Sequence, residues 1–177
     1  KDKTLVEHDK TKLIETKKKR VRADAQRSTD ALLEAAKKVF ASSGVDAPIR
    51  EIADLAGVGI GTVYRNFPSR ADLIAGVFRR EVDACASEAL VLASENTPLT
   101  ALSLWLQRYT QFIATKKGLA TALHSGDPAF AKLPDYFRSK FEPCLAELMS
   151  EAKAEGKIHG AIDPYALLRA LGTLSVA

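Results

Sequence analysis

The sequence predicts an all-α protein of two helical domains. Three observations carry this. Apolar residues recur at spacings of three and four along most of the 177 residues, the pattern of helices that bury one face. No segment sustains the two-residue alternation of a strand. Residues that start or stop helices stand at the ends of the periodic segments: Ser69, Thr97 and Asp163 before them, Gly44 and Gly156 after them.

Residues 1–23 are charged or polar apart from Leu5, Val6, Leu13 and Ile14, and read as a basic arm with too little apolar surface to fold alone. From about Asp24 the pattern is helical, with Leu32, Ala36, Val39 and Phe40 on one face and Gly44 as the stop. Ile49 to Ala56 is a short helix with Pro48 at its first turn. Gly57, Val58 and Gly59 break it, and Ile60 to Phe67 forms a second short helix that Pro68 ends. Ser69 starts a long helix, with Asp72 as capping-box partner and Ile74, Phe78, Val82, Cys85, Ala89 and Leu92 as its stripe, reaching about Ser94. Thr97-Pro98 opens the next, striped by Leu99, Leu102, Leu106, Tyr109 and Ile113. Lys116 to His124 reads as a shorter helix, and Ser125 to Pro134 as a loop. Phe137, Phe141, Cys144, Leu145, Leu148 and Ala152 mark a long helix ending near Gly156; Asp163-Pro164 caps a last one. The regions expected are the basic arm at 1–23, a first helical unit at 24–70 and a second at 71–177.

Composition limits the function. The chain is 46% hydrophobic and 27% charged, as soluble globular domains are. The longest charge-free stretch, Asn96 to Gln107, is too short to cross a bilayer, so no membrane partner is expected. The charged N-terminus has no secretory h-region, and Cys85 and Cys144 lack CxxC spacing, which fits a reducing cytoplasm. Residues 1–80 hold 17 Lys and Arg against 11 Asp and Glu, while residues 81–177 hold 9 against 11. A basic front half suits a polyanion, although a solvated basic tail has the same composition.

The stretch that carries chemistry is Ile49 to Phe67, IREIADLAGVGIGTVYRNF, two short helices around a tight turn. Ala53 is small where the helices cross, and Gly57 sits where the turn needs positive φ. The second helix offers Thr62, Tyr64, Arg65 and Asn66, hydroxyl, guanidinium and amide groups of the kind that grip phosphates and read base edges. Gly61 permits close approach of the backbone to DNA. Arg50, Arg70 and, on the arm, Lys19, Arg20 and Arg22 complete the candidate contacts. A plain helical hairpin with solvated polar residues is the alternative.

Residues 24–80 resemble the DNA-binding domain of TetR-type transcriptional regulators. The resemblance lies in Ala35-Ala36, Phe40, Gly44, Ala56-Gly57-Val58, Gly61-Thr62-Val63-Tyr64, Phe67 and Arg70. Two residues depart from the family pattern: Gly59 stands where Ser is usual before the recognition helix, and Ile60 where a polar residue is frequent. The C-terminal half resembles the family's regulatory domain in architecture and in Lys117-Gly118-Leu119-Ala120. The resemblance implies a homodimer on a double-stranded DNA operator, most simply a repressor that a small molecule releases. It also implies a dimer face made by the last two helices, of which this chain holds part, ending at Ala177 inside its eighth expected helix.

Within the second half, Leu102, Trp105, Tyr109, Phe112, Phe141, Leu145 and Met149 are the candidate lining of a pocket for a small apolar ligand, with His124 as a polar contact. The same residues would serve equally as plain core. Leu167, Leu168, Leu171 and Leu174 are the candidate dimer interface, or the inner face of a monomer. Neither cofactor nor metal is expected, since His8, His124 and His159 are scattered, and Gly57-x-Gly59-x-Gly61 lacks the strand a dinucleotide loop needs. No catalytic constellation is visible. The competing functions are a helical scaffold and a ligand-binding bundle without DNA binding.

Overall fold

The structure, a computed structural model, describes residues 3–115 and 125–174. Those residues form seven α-helices: α1 (Lys3–Ser43), α2 (Ile49–Ala56), α3 (Ile60–Asn66), α4 (Arg70–Glu95), α5 (Pro98–Thr115), α6 (Leu133–Ala154) and α7 (Pro164–Leu174), with a 3-10 turn at Pro128–Phe130. The helix expected over 116–124, with its Lys117-Gly118-Leu119-Ala120, lies outside the described residues.

α1 is longer than the apolar pattern suggests. It passes through Asp24 without a break and starts at Lys3. Its 41 residues contain neither Gly nor Pro, and Lys, Arg, Glu and Leu are good helix formers even where no face is buried. At 1.5 Å per residue the helix is about 60 Å long. Among its residues whose side chains are described, those from Leu32 to Phe40 enter the core.

α1, α2 and α3 form the first unit. Ile52 and Ala53 of α2 and Val63 of α3 are buried where the two short helices cross. α2 ends on Gly57 at φ 69°, whose N–H donates to the Asp54 carbonyl at 3.2 Å while the Val58 N–H donates to that of Ala53 at 3.0 Å. This pair is a Schellman stop, and it fixes the angle at which α3 departs. α3 begins on Gly59, which has no side chain to cap the first turn, in line with the departure noted in the sequence.

α4 joins the two units. Ser69 and Asp72 form the reciprocal capping box: Ser69 Oγ accepts from the Asp72 N–H at 3.1 Å, and Asp72 Oδ2 accepts from the Ser69 N–H at 3.0 Å. Its stripe, Ile74, Phe78, Val82, Cys85 and Ala89, is buried. α4 packs against α1 on one side and against α5 and α6 on the other, while α7 closes over α5 and α6. Leu99 is an exception to the expected α5 stripe: 40% exposed, it sits in the first turn after the end of α4. α6 begins at Leu133, so Pro134 lies in its first turn instead of ending the loop, and the helix continues through Pro143. Asp163 caps α7 by accepting the Ala166 N–H at 2.6 Å.

Two turn substitutions separate conformation from capping. Gly57→Ala places a Cβ in open space but at positive φ, so it loses about 1–2 kcal/mol of stability. Gly59→Ser, at φ −71°, supplies a missing cap and gains a few tenths, roughly 0.3 kcal/mol. Chemical denaturation of both variants reads the difference, and equal effects would contradict the αL role of Gly57.

Candidate nucleic-acid interface and regulatory core

α3 is anchored on one side and open on the other. Val63 is 1% exposed and points into the α1–α2–α3 core, whereas Tyr64 is 50% and Ile60 40% exposed. Arg65 and Gly61 are exposed too. The Arg65 guanidinium lies along the helix: Nε donates to the Gly61 carbonyl at 3.2 Å and Nη2 to Thr62 Oγ1 at 2.9 Å. These are exposed bonds within one turn, easily exchanged for an outside acceptor. Thr62 and Arg65 therefore form one polar unit, with Tyr64 beside it. A Cβ at Gly61 would meet nothing within 4 Å, so the start of α3 is bare backbone against solvent.

Two candidate contact residues have structural partners instead. Asn66 donates Nδ2 to the Thr62 carbonyl at 2.8 Å and accepts the Thr29 hydroxyl of α1 on Oδ1 at 2.8 Å. Both ends of its amide are thus used to fasten α3 to α1. Arg70 was expected to hold a phosphate, but its Nη1 donates to the carbonyls of Val45 at 2.6 Å and Ala47 at 2.7 Å. It clasps the loop between α1 and α2, whose Val45 and Ala47 carbonyls lie outside any helix and take Arg70 as donor. Arg50 is exposed in the first turn of α2. Lys19, Arg20 and Arg22 are exposed on α1, N-terminal to Thr29.

The pocket candidates converge in the second unit, except His124, which lies outside the described residues. Trp105, Phe141 and Leu145 are fully buried, and Tyr109, Phe112, Leu102 and Met149 are 9% exposed or less. The rings meet one another: Trp105 stacks on Tyr109 at 5.8 Å, and Phe141 meets Trp105, Tyr109 and Phe112 edge-on at 5.8, 5.5 and 5.4 Å. Trp105 Nε1 donates to the Cys85 carbonyl of α4 at 2.9 Å, and the Tyr109 hydroxyl to the Leu168 carbonyl of α7 at 3.0 Å. Burial pushes the Tyr109 hydroxyl well above its ordinary pKa and the Cys85 thiol up to about 12, so both stay neutral. In this state these residues are packed core with their polar atoms satisfied inside the protein.

Phe137, read in the sequence as part of the α6 stripe but not as pocket lining, packs on Phe141 at 4.7 Å, one turn away. Two further features have no signal in the linear pattern. A cleft of about 210 Å³ opens beside Met149, lined by Ser150, Lys153, Ile158, His159 and Ile162. Charged residues on one stretch of α4, Arg80, Glu81 and Asp83, pair with residues of α1 and α6. The dimer candidates divide as well. Leu168 is fully buried within the protomer, because α7 turns it against the aromatic core, and so it is not a surface residue. Leu167 and Leu171 are half-buried and pack on the core edge, whereas Leu174 is 74% exposed.

Comparison with known proteins addresses both units. A family model described as bacterial regulatory proteins, tetR family, matches residues 32–77, and one described as transcriptional regulator SbtR-like, C-terminal domain, matches residues 97–177. An HTH-type transcriptional regulator of Staphylococcus aureus is 25% identical over 155 residues, 86% of this chain and 82% of that protein. Among solved structures, a TetR transcriptional regulator from Streptomyces coelicolor is similar at 35% identity and TM-score 0.68, covering 84% of this chain and 85% of its own. A TetR transcription regulatory protein from Mycobacterium vanbaalenii follows at 31% and 0.70, covering 88% and 93%.

The buried hydroxyl of Tyr109 gives a test of the core. Tyr109→Phe keeps the ring and removes the hydroxyl's bond to the Leu168 carbonyl, which retains its helical donor, at a cost of about 0.5–1.5 kcal/mol. Thermal denaturation should show the loss with helix content unchanged. An unaltered midpoint would mean that α7 is not held by this bond.

Proposed function

Because the chain belongs to the TetR family of bacterial transcriptional regulators, we propose that it is a homodimeric repressor released from its operator by a small apolar molecule. The observation that carries the reading is the polar face of α3. Tyr64 and Arg65 stand exposed, with half-buried Thr62 bonded to Arg65, on a helix whose opposite side is fixed by Val63 and by the Asn66–Thr29 bond. A helix anchored on one side with polar groups on its outer face is what major-groove readout requires.

Arg65 releases its intrahelical bonds and takes a base edge, where a bidentate guanine contact is its natural partner. Tyr64 holds a phosphate through its hydroxyl, and Gly61 lets the backbone close on the groove. Arg50, Lys19, Arg20 and Arg22 hold flanking phosphates, the last three from a helical extension of α1 instead of a loose arm. A dimer doubles the contact and sets the spacing of half-sites at one or more helical turns, each about 34–36 Å. α7 is the proposed face, through Leu174 with the outer edges of Leu167 and Leu171. The ligand is proposed to enter among Leu102, Trp105, Tyr109, Phe112, Phe141, Leu145 and Met149, exchanging ring contacts for its own. No described helix is long and apolar enough to cross a membrane, and action on DNA in the cytoplasm follows from the reading.

Selection of duplex fragments bound by the purified protein tests the proposal and yields the half-site. On that site, Arg65→Ala should relax preference at one position per half-site, a discrimination of about 1–3 kcal/mol, whereas Tyr64→Phe should weaken all sequences alike. Unchanged preference in Arg65→Ala would overturn the assignment of roles, and failure to retain any fragment would overturn the function.

The interface has its own test. Leu174→Glu places a charge on an exposed apolar residue without disturbing the core. It should give monomers in sedimentation and lose most DNA affinity. A dimer of unchanged affinity would place the contact on another surface.

A further inference from the structure

α3 exposes apolar surface as well as polar groups. Ile60 and Tyr64, four residues apart and so neighbours along the helix, are 40% and 50% exposed. Ile60 stands between Gly59 and Gly61, and a Cβ on either glycine would meet nothing within 4 Å. Its side chain therefore projects between two bare stretches of backbone. None of these three residues has a side-chain hydrogen-bond donor or acceptor. Side-chain polarity begins at Thr62, whose hydroxyl is bonded to Arg65.

A single exposed apolar side chain is ordinary on a protein surface. Its place gives Ile60 a partner. The proposed readout sets α3 in the major groove, where the bases present hydrogen-bonding groups and one apolar group, the C5 methyl of thymine. Residues 59–61 have no side chain that can pair with the polar groups, so what their side chains can offer a base edge is burial of that methyl. Isoleucine suits the task. Its β-branched side chain has nearly one χ1 rotamer on a helix and loses little freedom on contact. Ile60 is also one of the two departures from the family pattern, so the contact belongs to this chain's own sequence.

We propose that Ile60 is a specificity residue for thymine, its side chain packing on the C5 methyl at one position of each half-site. The inference rests on the proposed DNA binding and adds to it a second kind of readout. Arg65 takes a base edge by hydrogen bonds, and Ile60 takes another by apolar contact alone. The Ile60 contact involves no phosphate and no charge, so it changes sequence preference and leaves the counterion release of binding as it is.

Deoxyuridine in place of thymidine removes the C5 methyl and keeps every hydrogen-bonding group of the base. With the full chain and the operator recovered by selection, each thymidine position is replaced in turn in both half-sites. Fluorescence anisotropy should show one position at which the wild type binds about three- to tenfold more weakly, the scale set by burying a methyl group. Ile60→Ser should lose that distinction and bind both duplexes alike. Leu55→Ser removes a side chain that is 57% exposed on α2 and should keep the distinction in full. Circular dichroism and sedimentation establish that the variants fold and assemble as the wild type does. Three results would overturn the proposal while leaving DNA binding intact: a wild type indifferent to deoxyuridine at every position, a distinction that survives in Ile60→Ser, or one that is lost in Leu55→Ser. A wild-type chain that binds no duplex overturns the proposal and the underlying function together.

Discussion

One rigid helix has to satisfy two cores. The first turns of α4 bury Leu73, Ile74 and Val77 against the DNA-binding unit, and the later turns bury Val82, Cys85 and Ala89 against the bundle. A 26-residue helix is about 39 Å long, and its register is fixed at both ends. The Ser69–Asp72 capping box sets where it begins; the Trp105 bond to the Cys85 carbonyl sets how its far half meets α5. Neither core can repack without moving the other, since close-packed interiors shift between discrete arrangements and do not deform smoothly.

The polar atoms inside the bundle shape what a ligand must do. Trp105 and Tyr109 are held by backbone carbonyls of two different helices, α4 and α7. A molecule that spreads the rings while leaving these bonds intact displaces only apolar contacts. One that breaks them must supply acceptors and donors of its own, or leave buried groups unpaired. Under the proposed ligand release, the bundle would favour flat or slender apolar bodies over polar ones, a selectivity set by the carbonyls instead of the aromatic rings.

Much of this was legible in the sequence because it is local. The stops at Gly44 and Gly57, the Ser69 box and the Asp163 cap are written in adjacent residues, and helical stripes at Leu32 or Phe78 repeat within a turn. The helix-turn-helix was legible for the same reason. What was not legible depends on residues distant in the chain. Arg70 and Asn66 look like DNA contacts in sequence, but their partners, Val45, Ala47 and Thr29, lie 23 to 37 positions away. Leu168 reads equally as dimer face or inner face until α7 is docked on Tyr109. The reach of α1 to Lys3 was not legible because the few apolar residues before Asp24, Leu5, Val6, Leu13 and Ile14, do not repeat as a stripe through the charged turns. Whether rings enclose a cavity or fill it is a question of volume, which spacing does not encode.

The bare N-terminus of α3 has a kinetic consequence. Its seven residues start on Gly59 without a side-chain cap, while its other end is held by Val63, by Asn66 and by the Phe67 N–H bonded to the Val63 carbonyl at 2.8 Å. Helix ends without partners open on their own, far below the global unfolding free energy. Amide protons should therefore exchange with solvent along a gradient, quickly at Ile60 and Gly61 and slowly at Phe67. If α3 reads DNA as proposed, it would meet a groove with its leading turn still fluctuating, and part of the ordering would be completed on the duplex. Its cost falls on every encounter, cognate or not, and only a matched groove returns enough contacts to hold the turn in place.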